Sequence, residues 1–219
     1  MRRGWLRPGG PLRTSQGAAV AGIIFGVFLI TALVLLRISV PAHPEVAGAW
    51  LADSRRRTAV AVALNLIPFA GIAFLWFIGV LRARIGERED RLFATVFLGS
   101  GLLFVGMLFV AAAVAGATIA ASSARPGAGA LALSRNLTGS LLNVYAMRMA
   151  AVFTLTTVNI ARRTAIVSRW LVLAGLACAL ILMVGIGISP WVELLFPAWI
   201  LALSLDVLIA APPPSEARP

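Results

Sequence analysis

Six stretches of the chain are long and apolar enough to cross a lipid bilayer as α-helices, and this feature limits the fold more than any other. A spanning helix needs about 20 apolar residues, because each residue rises about 1.5 Å and the hydrocarbon core is about 30 Å thick. The sequence therefore predicts an all-α transmembrane helix bundle within residues 17–211. The six predicted spans are residues 17–36, 58–81, 92–121, 137–161, 170–188 and 191–211.

The segments outside the predicted spans leave no room for a sizeable soluble domain. Residues 1–16 form a basic N-terminal segment, and residues 212–219 form a proline-rich tail that we expect to be disordered. Residues 122–135 are rich in Gly, Ala and Ser, which predicts a flexible loop between two spans. Charged residues make up only 12% of the chain, where soluble domains average about a quarter. The membrane region is therefore expected to carry the function.

The first apolar segment has two interpretations. Arg2 and Arg3 precede it, as basic residues precede the apolar part of a signal peptide. Its apolar run of about 20 residues is longer than the 7 to 15 that are usual in a signal, which favours a retained anchor. In a retained helix, Ala18, Gly22 and Gly26 would form a face of small residues that allows a neighbouring helix to approach closely.

The basic residues of the chain are all arginine, and their positions predict its orientation. Most of them lie on the cytoplasmic side when both termini are placed there, as the positive-inside rule requires of a plasma-membrane protein. The run at residues 55–57 is the exception. The formal net charge of +11 does not indicate nucleic-acid binding, because the arginines punctuate apolar segments and form no solvated basic face. The predicted partner is the lipid bilayer.

Arg148 lies within the fourth predicted span. Only 13 residues separate it from Arg162, about 20 Å of helix, which is too short to cross the bilayer. One interpretation is that its side chain reaches back along the helix to the headgroups, since helical side chains lean toward the N-terminus. The other is a salt bridge with Glu193, which lies at a similar depth in the first turn of the last span. Ser189 is the predicted cap of that turn.

Asp206 is the strongest functional candidate, because its side chain leans deeper into the membrane from a position near the end of the last span. A carboxylate there should be neutral, paired or facing water. On the fourth span, Tyr145, Arg148 and Asn159 are predicted to form a polar stripe at about 100° per residue, with Asn159 at the depth of Asp206. Asp206 and this stripe could together bind a small solute or ion.

Asn65 and Pro68 place an amide and a proline within one turn of the second span. Pro68 has no N–H, so the carbonyl of Leu64 loses its helical donor. Such a kink could line a polar cavity, or a neighbouring helix could satisfy it.

Enzymatic and metal chemistry find no support in the residue pattern. The chain has one cysteine, Cys178, and one histidine, His43, so a metal site built from these residue types is not expected. No zinc-protease, serine-hydrolase or phosphate-loop motif occurs, and no facing pair of acidic residues lies within the spans. We expect a protein that is not an enzyme and needs no cofactor.

Three runs carry a resemblance to known sequences: residues 65–76 (NLIPFAGIAFLW), 145–150 (YAMRMA) and 191–197 (WVELLFP). They resemble those of uncharacterised multi-pass integral membrane proteins of high-GC Gram-positive bacteria, over about residues 58–211. The resemblance implies a bacterial plasma membrane and carries no activity.

Two functions remain open at this level. Passage or binding of a small solute or ion would use Asp206 and the stripe around Arg148. A non-catalytic membrane subunit or scaffold would instead use its polar groups to hold its own helices, a second copy of the chain or another membrane protein together. The two differ in whether the polar groups face a wet cavity or are used in helix contacts.

Overall fold

The computed structural model describes residues 11–40, 49–85, 91–121, 127–164, 168–185, 189 and 191–209. No strand occurs in these residues, and the predicted all-α helical bundle is confirmed for this part of the chain. Short 3-10 helices occur at Ala49–Ala52 and Val192–Leu194, and a π-helical segment at Ser140–Ala146 joins α4 to α5. The α-helices are α1 (Pro11–Ser39), α2 (Ser54–Ile85), α3 (Arg91–Ala120), α4 (Ala128–Gly139), α5 (Met147–Thr164), α6 (Arg169–Val184) and α7 (Leu195–Ile209).

Among the described residues, five helices are long and apolar enough to cross a membrane, which makes the chain a helical membrane protein. They cover Gln16–Ser39, Ser54–Arg82, Leu92–Ala120, Ala128–Arg162 and Val192–Ile209. The fifth predicted span corresponds to α6, which is apolar but has 16 residues, about 24 Å of helix. Residues 186–188, which were predicted to complete that span, lie outside the described residues. The same is true of residues 1–10 and 210–219.

The fourth span begins earlier than predicted. Ala128–Arg162 forms one continuous helical rod of 35 residues, so the loop predicted up to residue 135 is wrong for residues 128–135. Alanine and leucine in this stretch favour helix, and their propensity outweighs the single glycine among them. A contact with α3 also holds the rod, because the Ser134 hydroxyl is hydrogen-bonded to the Thr118 hydroxyl. The rod is about 52 Å long and exceeds the thickness of a hydrocarbon core.

The small residues of α1 form the surface on which α7 packs. Ala18, Gly22 and Gly26 are all buried, which confirms the predicted close-packing face. A Cβ atom on Gly26 would lie 2.9 Å from the Cβ of Leu201 on α7. The Ser204 hydroxyl is buried without a conventional hydrogen bond and lies where a Cβ of Gly22 would project. A Cα hydrogen of Gly22 therefore points at this oxygen, the geometry of a weak Cα–H···O bond.

A cluster of phenylalanine side chains fills the centre of the bundle, and we call these six residues the phenylalanine cluster. Each of them is 0% exposed. Ring centroids of neighbours are 4.5 Å apart for Phe25 and Phe74, and 4.7 Å apart for Phe97 and Phe153. The rings therefore pack with the separations of ordinary aromatic contacts. The cluster comprises Phe25 of α1, Phe74 of α2, Phe97 and Phe104 of α3, Phe153 of α5 and Phe196 of α7.

Candidate functional site

Polar side chains make inter-helix contacts near both ends of the bundle. At one end, which we call the Glu193 end, lie the last turn of α1, the 3-10 helix that precedes α7 and the π-helical segment. At the other, the Asp206 end, α6 begins and α7 finishes. Because α1 and α7 pack antiparallel, the start of α1 lies at the Asp206 end as well.

An ion pair between Arg37 and Glu193 joins the last turn of α1 to the 3-10 helix that precedes α7. Arg37 Nη2 donates to Glu193 Oε1, and the same nitrogen lies 3.4 Å from Asn143 Oδ1 of the π-helical segment. Glu193 is 5% exposed, so its carboxylate is enclosed by the bundle. Ser189 Oγ accepts a hydrogen bond from the Trp191 N–H at 3.3 Å, but the residue at the N-cap position of the Val192–Leu194 helix is Trp191 and not Ser189.

The predicted salt bridge between Glu193 and Arg148 is wrong, because Glu193 pairs with Arg37. The reason is the helix arrangement: α1 packs along α7, and its last turn reaches the turn that carries Glu193. Arg37 directly follows the first predicted span, residues 17–36, and so was not among the predicted partners of Glu193. One signal in the sequence could have identified the pair. Arg37 lies in the last turn of one span, and Glu193, with the opposite charge, lies in the first turn of another.

The π-helical segment, Ser140–Ala146, supplies one polar contact of the fourth rod. A π-helix places an extra residue in each turn, and such segments recur at functional sites. Asn143 lies within it and contacts Arg37, an interaction that uniform helical spacing did not predict. Tyr145, which lies in the same segment, is 56% exposed, whereas Arg148 and Asn159 in the regular α5 are partly buried. Tyr145 is thus more exposed than the other two members of the predicted stripe.

Arg148 folds back onto its own helix. Its Nη1 donates to the carbonyl oxygen of Val144 at 3.0 Å, one turn toward the Glu193 end. This is the direction in which a helical side chain leans, toward the N-terminus of its own helix. The geometry agrees with the interpretation in which Arg148 reaches toward the membrane surface.

Asp206 contacts the start of α6. Its Oδ2 lies 3.4 Å from the backbone nitrogen of Ser168, which donates to it, and Ser168 is the N-cap residue of α6. The Ser168 side chain makes no capping hydrogen bond of its own. A carboxylate at this position complements the positive end of the helix dipole. Asp206 therefore holds α6 against α7, with a backbone group as the partner that the sequence could not reveal.

Replacing Asp206 by asparagine should lower the free energy of unfolding in detergent by less than about 1 kcal/mol, because the amide oxygen still accepts but the charge is lost. Asp206→Leu also removes the acceptor and should lower it by about 1 to 2 kcal/mol. Asp53→Asn is the matched control, since Asp53 Oδ1 also accepts a hydrogen bond at a helix start, from the Arg55 backbone N–H at the start of α2, with 2.9 Å between the two atoms. Stabilisation by Asp206→Asn would contradict the capping role and mark a carboxylate retained for function.

Asn65 and Pro68 lie on the outer surface of the bundle, away from the phenylalanine cluster. Both residues are exposed, and Asn65 Nδ2 donates to the carbonyl of Ala61 at 2.8 Å. Asn65 and Pro68 therefore line no cavity among the central side chains.

Within the described residues, no group of three or more His, Cys, Asp or Glu side chains could hold a metal ion. Cys178 is buried as a free thiol, and His43 lies outside these residues. Comparison with protein-family models, with curated proteins and with solved structures finds no match to this chain.

Proposed function

We propose that the chain is a non-catalytic membrane subunit, a helical scaffold that packs with other membrane proteins. The phenylalanine cluster carries this proposal, because it occupies the place where a conducting pathway between the two ends of the bundle would run. Phe104 and Phe196 have ring centroids 4.9 Å apart, and Phe74 and Phe153 have theirs 5.0 Å apart. Rings at these separations leave no room for a hydrated ion between them.

The use of the polar groups supports the same function. Arg37 contacts both Glu193 and Asn143, each on a different helical segment, and Asp206 contacts the start of α6. Side chains that are used in this way stabilise helix packing and are not available to a solute. Both acidic residues that the sequence places in the last span are therefore accounted for by structural contacts.

Passage or binding of a small solute or ion is the second candidate. Arg148 and Asn159 favour it, because both are partly buried on α5 and share a helical face. Transport through the bundle would require the phenylalanine cluster to open. Binding without transport would require only the space around Arg148.

The proposed setting is a plasma membrane with both termini in the cytoplasm. Arg82, Arg162 and Arg169 are exposed around the Asp206 end, which supports a cytoplasmic position for that end. The three exposed arginines at 55–57 lie at the Glu193 end and count against it. The resemblance to multi-pass membrane proteins of high-GC Gram-positive bacteria fits the same compartment.

Liposome flux distinguishes the two functions. The purified chain is reconstituted into liposomes, and proton, potassium and chloride flux is measured with fluorescent reporters. We expect fluxes equal to those of protein-free liposomes. We also expect the protein in lipid particles extracted from its native membrane to have an apparent mass larger than the 23.0 kDa of one chain. Flux above the protein-free level that is abolished by Arg148→Met or Asp206→Asn would overturn the subunit function.

A further inference from the structure

The outer face of α2 carries a polar site among large apolar side chains. Phe69, Ile72 and Trp76 are 59%, 51% and 69% exposed. Seven exposed positions of α2 follow a spacing of alternately four and three residues, which is the repeat that keeps one face of a helix against a partner helix. They are Thr58, Val62, Asn65, Phe69, Ile72, Trp76 and Gly79.

Asn65 lies well inside the hydrocarbon region on this face. About 12 Å of helix separate it from Arg57 and about 26 Å from Arg82, the arginines that flank the apolar run. Lipid tails offer no hydrogen bonds, so a polar group at this depth must be satisfied by protein. An exposed amide here therefore indicates a protein partner.

The hydrogen-bonding groups of the site are a donor and two acceptors. The bond from Asn65 Nδ2 to the Ala61 carbonyl uses one of the two N–H groups of the amide. The second N–H and the Oδ1 oxygen belong to the exposed side chain. Because Pro68 lacks an N–H, the Leu64 carbonyl has no donor within the helix and adds a second acceptor beside them.

We propose that this face of α2 binds a second copy of the chain in a two-fold symmetric dimer. A two-fold interface brings the same patch of both copies together, so it requires a patch that complements itself. The Asn65 site does so, because the free N–H of one copy can donate to Oδ1 or to the Leu64 carbonyl of the other. Asn65, the one amide on this face, then fixes the register of the two helices.

The exposed face of α3 provides a contrast within the same molecule. It has the same spacing, with Val96, Leu103 and Val110 at 37%, 51% and 50% exposure. These side chains carry no polar group, so lipid tails satisfy them fully. The amide, and not the apolar surface, therefore distinguishes α2 as the dimer face. The proposal rests on the proposed function, since it names one partner of the proposed subunit.

Dimerisation can be measured by subunit counting in bilayers at decreasing protein-to-lipid ratio. We expect the wild type to be a dimer at high ratio, and Asn65→Leu to weaken association by about threefold to thirtyfold, the range for a hydrogen bond between membrane helices. Leu103→Ala on α3 should leave association unchanged. Thermal unfolding of the Asn65→Leu monomer should match the wild type, because the side chain is exposed.

A cross-linking experiment tests the same face without removing the amide. In a Cys178→Ala background, the Phe69→Cys variant, changed one turn from Asn65, should form a disulfide between copies under oxidation. The Leu103→Cys variant in the same background should not. The dimer is overturned if the wild type is monomeric at every ratio, if Asn65→Leu associates as the wild type does, or if both cysteines cross-link equally. None of these results bears on ion flux, so failure of the dimer and failure of the proposed function are distinguishable.

Discussion

Replacing Phe74 by alanine is expected to lower the free energy of unfolding by about 2 to 4 kcal/mol. Phe74 has ring neighbours on α1, α3, α5 and α7 as well as on its own helix. An unfolded membrane helix remains in lipid, so the transfer of the ring from water contributes little, and the loss comes from the cavity and the broken contacts. A cavity on the order of 100 Å³ at about 24 cal/mol per Å³ gives about 2.4 kcal/mol, to which the lost ring contacts add.

Phe69→Ala is the matched control for this measurement. Phe69 lies five residues before Phe74 on the same helix, but it is 59% exposed where Phe74 is 0% exposed. Unfolding is followed by denaturant titration in detergent at one chain per micelle, so that contacts between copies do not contribute. Equal losses for the two variants would contradict a packed centre and would reopen the possibility of a pathway through the bundle.

The positions and faces of the helices could be predicted largely from sequence, because their signal is local. Apolar runs of sufficient length must cross the bilayer as helices, and small residues at 18, 22 and 26 allow close packing whatever the neighbouring helix is. The phenylalanine cluster was not predicted, since its members come from five helices whose mutual rotation no local pattern specifies. The helical start of the fourth rod was missed because glycine and serine there were taken to outweigh alanine.

The polar contacts could be predicted only in part, because they depend on which helices are neighbours. Asp206 was predicted to be neutral, paired or facing water, and Glu193 was a possible partner for Arg148; neither Arg37 nor the Ser168 amide was predicted as a partner. Arg37 stood at the end of a span, and the Ser168 amide is a backbone group that no side-chain pattern can show. The π-helical segment shifted the helical phase at Asn143, and this is why its contact with Arg37 was not foreseen.

The coupling between Arg37 and Glu193 is expected to be the strongest among the polar side chains that the structure describes. The side chains are 27% and 7% exposed, so Arg37 alone could reach the headgroups, whereas Glu193 alone would stay enclosed. Arg37→Met should therefore lower the free energy of unfolding by about 2 to 3 kcal/mol, and Glu193→Gln by about 1 to 2 kcal/mol. The double variant should lie within about 1 kcal/mol of the wild type, because no uncompensated charge remains.

A double-mutant cycle in detergent measures this coupling, and Arg148 supplies its control. Arg148 is also a partly buried arginine near the Glu193 end, but its hydrogen bond is with a carbonyl of its own helix. Combining Arg148→Met with Glu193→Gln should give additive losses to within about 0.5 kcal/mol, whereas the Arg37 cycle should give a coupling energy of about 2 kcal/mol or more. The opposite result, coupling with Arg148 and additivity with Arg37, would support a salt bridge between Glu193 and Arg148, one of the two interpretations drawn from the sequence. It would also place a charge pair on the partly buried face of α5, where a solute or ion could use it.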